Sequence, residues 1–220
     1  MYQFDIGAVA HYFGGIPAAV GVTLGLTLLA TAFSTVIGIV GALSRTSPSR
    51  ILRFAAALYT EVLRNVPLLV VVFVVFFGLA QVGLRLSGFT SVLVALVANA
   101  SAYMSEVFRG GLLSIPGGQR EAALAQGMRY HQMQWYVILP QVIRNVFPAY
   151  GNICVGILLG SSLASVVGVH DLSFWMLDTG AETFRYMESF LVSAAIYVVL
   201  VQALTFGRAM AGRWLFASPN

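Results

Sequence analysis

Long apolar runs separated by short arginine-bearing segments dominate the chain. A bilayer core of about 30 Å, crossed at 1.5 Å per residue, calls for about 20 apolar residues in a helix. That length selects five segments: residues 16–43, 57–80, 89–108, 146–169 and 190–206. The second is composite. Its cleanly apolar part, 67–78, is too short alone and must borrow the preceding turns, which carry Glu61 and Arg64. Residues 114–140, between the third and fourth segments, are too polar to enter lipid and too regular for a linker. Gly21 and Gly25 in the first segment, and Gly156, Gly160 and Ala164 in the fourth, repeat at fourfold spacing. Such small residues let helix backbones approach closely in lipid, within a subunit or between two.

Composition narrows the fold class to an all-α polytopic membrane protein, a single domain over residues 1–220. The chain is 59% hydrophobic and 9% charged, with a mean hydropathy of +0.86, whereas soluble domains carry about 25% charged residues. A soluble globule and a disordered chain are both excluded, because this much apolar surface must be covered. All twelve basic residues are arginine. Without lysine there is no phosphate-binding GxxxxGK[ST] loop and no Schiff-base chemistry. The arginines are spread between apolar runs and make no basic stripe, so nucleic acid is not a partner despite a pI near 9.5. Cys154 is the sole cysteine, and His11, His131 and His170 are scattered, so no disulfide or metal-ligand spacing exists. A hydrolase inside the membrane would need a base at depth, and no histidine, lysine or aspartate falls within a span.

The arginines also set orientation. With the N-terminus outside and the C-terminus cytoplasmic, Arg45, Arg50, Arg53, Arg109, Arg120, Arg129, Arg144, Arg208 and Arg213 fall inside, and only Arg85 and Arg185 outside. Nine against two follows the positive-inside rule. No basic residue precedes Arg45, so the charged start of a signal peptide is missing and the chain inserts through its own first span. Trp135, Tyr136, Trp175 and Trp214 fall near the ends of spans, where aromatic belts form.

Within the 114–140 loop, Pro116 followed by two glycines opens a short helix, residues 119–126 favour it, and Gly127 occupies the position of a left-handed terminator. Alanines 122, 123 and 125 keep this helix thin enough for another protein to press against it. Among polar residues at membrane depth, Glu61 and Arg64 share a helical face and can pair, either near an inner gate or snorkelling to the surface. Glu106 and Arg109 repeat the spacing and anchor the loop. Asn99 lies about 15 Å deep and either bonds a neighbouring helix or lines a solute path. Ser161, Ser162 and Ser165 either contact solute or bond back to their own helix.

Glu121-Ala122-Ala123, Gly127, Val137 and Leu139-Pro140 stand at spacings that resemble the EAA signature of permease subunits of ABC importers, with Val137 where isoleucine is usual. The stretch from Glu61 to Leu69, Asn99 with Tyr103, Glu106 to Gly111, Ser114 to Gln119 and Ser162 to Gly168 resemble the polar amino acid branch of that family. Together they cover roughly residues 20–210. The resemblance implies the type I importer fold, with five membrane helices and a short cytoplasmic coupling helix. It implies a bacterial inner-membrane subunit without catalysis of its own, forming the pathway for an amino acid-like solute. The expected partners are ABC ATPases holding ATP and Mg, a second permease (a copy or a paralogue), an external solute-binding protein and membrane lipid; this chain itself holds no cofactor. Glu121 becomes the polar contact to the ATPase, the alanines the close-packed face, and Gly127 the bend. Where that branch commonly has a Lys-Asp or Lys-Asn pair, this chain has Leu159-Gly160, so selectivity for a charged solute must come from the partner permease or the binding protein, which adds weight to an asymmetric permease pair beside a symmetric one. A self-contained secondary carrier or channel is the other class, and it would have no use for a docking helix.

Overall fold

A computed structural model describes residue 2 and residues 4–216, and all regular structure among them is helical. The chain opens with α1 (Gly7–Ala10) and a 3₁₀ turn (His11–Gly15) leading into α2 (Ile16–Thr46). Then come α3 (Arg50–Asn65), α4 (Leu68–Phe73), a π turn (Val74–Gly78) and α5 (Leu79–Gln81). Next are α6 (Gly88–Leu113), α7 (Gly117–Ala125) and α8 (Tyr130–Met133). A second π turn (Gln134–Ile138) runs into α9 (Leu139–Gly160), which tightens to 3₁₀ over Ser161–Val167. The chain finishes with α10 (Leu172–Thr183) and α11 (Tyr186–Phe216).

Four continuous helical stretches are long and apolar enough to cross a membrane: Gly7–Thr46, Gly88–Leu113, Tyr130–Val167 and Tyr186–Phe216. The second expected span is not one helix. α3 and the α4–α5 stretch meet at an angle of 107°, and only taken together are they long and apolar enough to count as a fifth, broken span. Pro67 accounts for the break. Its ring bars Val66 from the helical region, and Val66 is extended at φ −98°, ψ 130°. The other spans outrun their expected ends by up to sixteen residues, because helices continue past the apolar run wherever capping and packing permit.

The α2–α6 pair forms the spine. Small residues set its spacing, at positions other than those the fourfold pattern picks out. A Cβ on Gly38 would stand 2.6 Å from Met104 Cβ, and one on Gly41 would stand 2.7 Å from Ser105 Oγ. Around Gly21, Gly25 and Gly156 a Cβ would meet open space, whereas Gly160 packs against Leu68 and Leu96. The main core joins Leu26, Val72, Val92, Leu96, Met104 and Ile157 across α2, α4, α6 and α9. α11 is the outlier. Only 6% of its most apolar window is buried, against 50% for α6, so lipid or another subunit must cover its apolar surface.

Trp175 does not join an interfacial belt. It is buried, and its indole Nε1 donates to Tyr12 O at 3.0 Å, fastening α10 to the N-terminal segment. Glu188, at the start of α11, is fully buried and accepts from Tyr2 Oη, from Asp5 N at 3.0 Å and from Arg185. Asp171 is also buried; it caps α10 by accepting from Phe174 N at 2.8 Å and lies 3.5 Å from Tyr197 Oη. Burial pushes its carboxyl up to about 6. The folded state therefore holds this proton more tightly than the unfolded chain, so Asp171 stabilises the fold most below pH 4 and less as pH rises through 6. We expect the thermal midpoint in detergent to fall between pH 4 and 6 by an amount equivalent to a few kcal/mol, at about 1.4 kcal/mol per unit of displacement. Asp171→Asn, which keeps the capping oxygen, should flatten that slope; an unchanged slope would remove Asp171 as its origin.

Candidate functional site

Two places combine polar chemistry with an opening: the break in the second span, and the surface of α7.

At the break, the last carbonyls of α3 have no helical donor ahead of them, because the chain turns away at Pro67. Side chains from α6 supply donors. Asn99 Nδ2 donates to Leu63 O at 2.9 Å and Tyr103 Oη to Arg64 O at 3.2 Å, while Asn65 Nδ2 donates to Glu61 O at 2.7 Å. Asn99 thus bonds a neighbouring helix and also lines a pocket of about 330 Å³, with Leu68, Leu96, Tyr103, Asn152 and Gly156. That volume lies within the range of small-molecule sites.

Glu61 and Arg64 do not pair. The Arg64 guanidinium lies over the Tyr103 ring, 5.4 Å from its centre, and the Glu61 carboxylate sits at 3.5 Å from Asn65 Nδ2. The Tyr103 ring takes the guanidinium and the Asn65 side-chain amide the carboxylate. The three serines spend their hydroxyls locally: Ser161 donates to Leu158 O, Ser162 to Leu159 O and Ser165 to Ser162 O, at 2.7–2.8 Å. This back-bonding accompanies the tightening to 3₁₀. Ser161 is fully buried, whereas Ser162 borders a second pocket with Ser173, Ser193 and Tyr197.

Sequence reasoning passed over Asn152 and set Arg208 on the flank just beyond the fifth segment. Arg208 is helical. It lies within α11, with its side chain laid across Gly151 of α9, where a Cβ would stand 2.0 Å from its Cδ. Its Nη1 donates to Asn152 Oδ1 at 2.8 Å and to Pro148 O at 3.2 Å. The clue to Asn152 was available, since an amide in an apolar run is the same signal that marks Asn99. Arg208 carried no such clue, because an arginine just past an apolar run reads as a flank.

α7 is a short helix fixed to its own chain on one side and open on the other. Pro116 is its N-cap, and its end is a full Schellman motif. Gly127 N donates to Leu124 O at 2.9 Å, Met128 N donates to Ala123 O at 3.2 Å, and Gly127 takes φ 79°. Ala123 turns inward with Ile115, Met133, Ile138, Val142 and Val146, so of the three alanines only Ala122 and Ala125 remain exposed, beside Glu121 and Leu124. Leu139 and Pro140 lie within the helix running from Tyr130 into the fourth span, outside any loop. The π turn just before them lets Pro140 sit there without an N–H, and Gln141 Nε2 donates to Val137 O at 2.7 Å. Behind α7, Glu106 bridges two arginines: Arg45 from the end of α2 at 2.7 Å and Arg109 at 2.7 Å. Asn145 Nδ2 donates to Ser114 Oγ at 2.9 Å and ties α9 to the same corner. Among the described residues, no cluster of histidine, cysteine, aspartate or glutamate could hold a metal ion.

Comparison with known proteins gives a consistent picture. Residues 34–213 match the family model described as binding-protein-dependent transport system inner membrane component. The arginine transport system permease protein ArtQ of Bacillus subtilis (strain 168) is 34% identical over 205 residues, covering 93% of this chain and 94% of the relative. The probable glutamine ABC transporter permease protein GlnM of the same organism is 36% identical, covering 84% and 86%. The octopine transport system permease protein OccM of Rhizobium meliloti is 36% identical, covering 90% and 84%. Among solved structures, a chain from an amino acid ABC transporter with histidines superposes with a TM-score of 0.90 at 33% identity, covering 96% of this chain and 99% of that one. A chain of the inward-facing MetNI methionine ABC transporter shares the fold, with a TM-score of 0.78 at 22% identity, covering 94% and 98%.

Proposed function

The chain belongs to the family of inner-membrane components of binding-protein-dependent transport systems, and from that premise we propose that it forms part of the membrane pathway of an ATP-driven importer for a polar amino acid or related solute. The observation that carries the reading is the superposition over nearly the whole length of both chains on a subunit of an amino acid ABC transporter. Relatives whose names assign them to arginine, glutamine and octopine transport support the solute class.

In this reading the exposed face of α7, with Glu121, Ala122 and Leu124, docks on a cytoplasmic ATPase that supplies ATP and Mg. Gly127 sets the angle of that helix, while Ala123, Leu139 and Pro140 fasten it to the membrane helices. A second permease covers the bare side of α11, and an external binding protein delivers solute. Solute passes the break in the second span beside Asn99. The N-terminus lies outside and the C-terminus inside. Arg45 and Arg109 meet at Glu106 directly before α7, so the arginine-rich end and the docking helix are one end of the molecule, as the positive-inside rule requires of a cytoplasmic face. ATPase closure would displace α7, and the packed corner of Arg45, Glu106 and Arg109 would pass that displacement to α2 and α6.

Reversing the charge of the docking contact tests the reading. Glu121→Arg should reduce co-purification of the ATPase, and ATP-driven uptake in proteoliposomes, by at least about tenfold, the effect of losing one charge-assisted contact, while membrane insertion stays normal. Undiminished ATPase retention, or uptake that persists without ATP and collapses with an ion gradient, would overturn it.

A further inference from the structure

Resting on that reading of the pathway, we infer that Asn99 and Asn152 form an amide pair that selects solutes carrying both an α-ammonium and an α-carboxylate, with Arg208 as the positioning residue that aims Asn152.

The argument begins with what each amide already holds. Asn99 and Asn152 line the same 330 Å³ pocket from α6 and α9. A carboxamide looks much alike either way round, but here the partners decide the orientation. Leu63 O can only accept, so Asn99 must give it the NH₂ group, and the bond is Nδ2 to O at 2.9 Å. Asn99 Oδ1 is then the atom left to the pocket. A guanidinium can only donate, so Arg208 must hold the oxygen of Asn152, and Nη1 meets Oδ1 at 2.8 Å. The Nδ2 group of Asn152, without a partner among the described residues, is left to the pocket. One wall therefore presents an acceptor and the other a donor, and the remaining lining is mostly apolar.

Charge behind each amide reinforces its sense. Arg208 has no carboxylate partner among the described residues, and its positive charge backs the donor wall. The Asn99 amide is bonded to the carbonyl end of α3, the negative end of a 16-residue helix, and a cation is favoured there. A solute ammonium fits against Asn99 Oδ1 and a solute carboxylate against Asn152 Nδ2. Arg64 is the competing charge, since it lies over Tyr103 on the α3 side of the pocket. The arrangement reads the head group common to amino acids and leaves the side chain unread. It also explains why Gly151 must be glycine: any Cβ would push Arg208 off Asn152.

The test is equilibrium binding to the purified permease–ATPase complex without its receptor. The probes are labelled L-arginine, L-glutamine and L-histidine, each with its α-carboxamide and its deamino acid as competitors. The intact complex should prefer the amino acid by at least about tenfold over either analogue, because a site built to bond a polar group rejects the analogue lacking it. Asn152→Asp should weaken amino acid binding about tenfold or more and bring the carboxamide ratio close to one; Asn152→Ser should do the same without adding charge. Arg208→Met should lose the carboxamide preference and Arg208→Lys should regain part of it, a pattern that a loss of packing alone would not give. Equal binding of amino acid and carboxamide, no binding at all, or a ratio that follows Arg64→Gln and ignores Asn152 would overturn the inference. A complex that imports amino acids but shows no head-group preference sinks the inference alone; one that imports none of the three brings down both this and the functional reading.

Discussion

Gly127→Val should abolish ATP-driven uptake while the chain still inserts at close to the normal level. Gly127 sits at φ 79°, where a β-branched residue is a genuine outlier. The left-handed conformation costs an ordinary residue about 1–2 kcal/mol, too little to unfold a membrane bundle. It is enough to dismantle the Schellman end, because both closing bonds, Gly127 N to Leu124 O and Met128 N to Ala123 O, depend on that conformation. Without them the last turn of α7 unwinds or swings. Ala123 leaves its place against Ile115 and Met133, and the exposed face carrying Glu121 and Leu124 is re-aimed. The proposed docking depends on where that face points, so function is lost long before the fold is. Gly127→Asn, which tolerates the left-handed region, should keep much of the activity. Membrane abundance by blotting and uptake in the reconstituted importer measure the two effects separately; full transport by the valine variant would show that α7 transmits nothing.

Glu106→Ala should lower the thermal midpoint of the detergent-solubilised protein by roughly 5–10 °C. Its carboxylate receives Arg109 through Nε at 3.2 Å and Nη2 at 2.7 Å, and Arg45 on the other oxygen at 2.7 Å. These side chains are 16–31% exposed. Removing the acid leaves two guanidinium groups facing each other across the α2–α6 corner. Fully buried, that would cost about 3–5 kcal/mol; the partial exposure here brings it to about 2–3 kcal/mol, and in a chain of this size each kcal/mol moves the midpoint by about 2–4 °C. Glu106→Gln should fall between, keeping one oxygen acceptor and losing the charge. Fluorescence-detected gel filtration after heating reads the shift, and a change under 1 °C would mean the bridge contributes nothing. The loosened corner should also reduce uptake, since α7 is fastened just beyond it.

The division between what could be read early and what could not follows from the range of each interaction. The long apolar helices, the helix α7 and its glycine terminator were legible because each depends on neighbours within a few residues: a run of apolar side chains, a proline, a position that must take positive φ. The resemblance in the 114–140 loop was legible for the same reason. Asn99 stood out as an amide at membrane depth, and the sequence left its partner open between a neighbouring helix and the solute path.

Sidedness was beyond reach. In a soluble protein hydropathy marks the inward face of a helix, but in lipid an apolar side chain is as well placed outward as inward, so nothing local tells Ala123 from Ala122 or puts Trp175 in the interior. Partner choice was beyond reach as well. Glu61 and Arg64 looked like a pair by spacing, yet Tyr103, thirty-nine residues further on, takes Arg64. The sequence by itself determined where the long apolar helices run and where the short helix α7 begins and ends. Only the crossing of α9 and α11 could bring Arg208 across Gly151 to Asn152, and only the bend at Pro67 could set the open end of α3 before Asn99, because a hydrogen bond between distant helices exists only once their angles and separations are fixed.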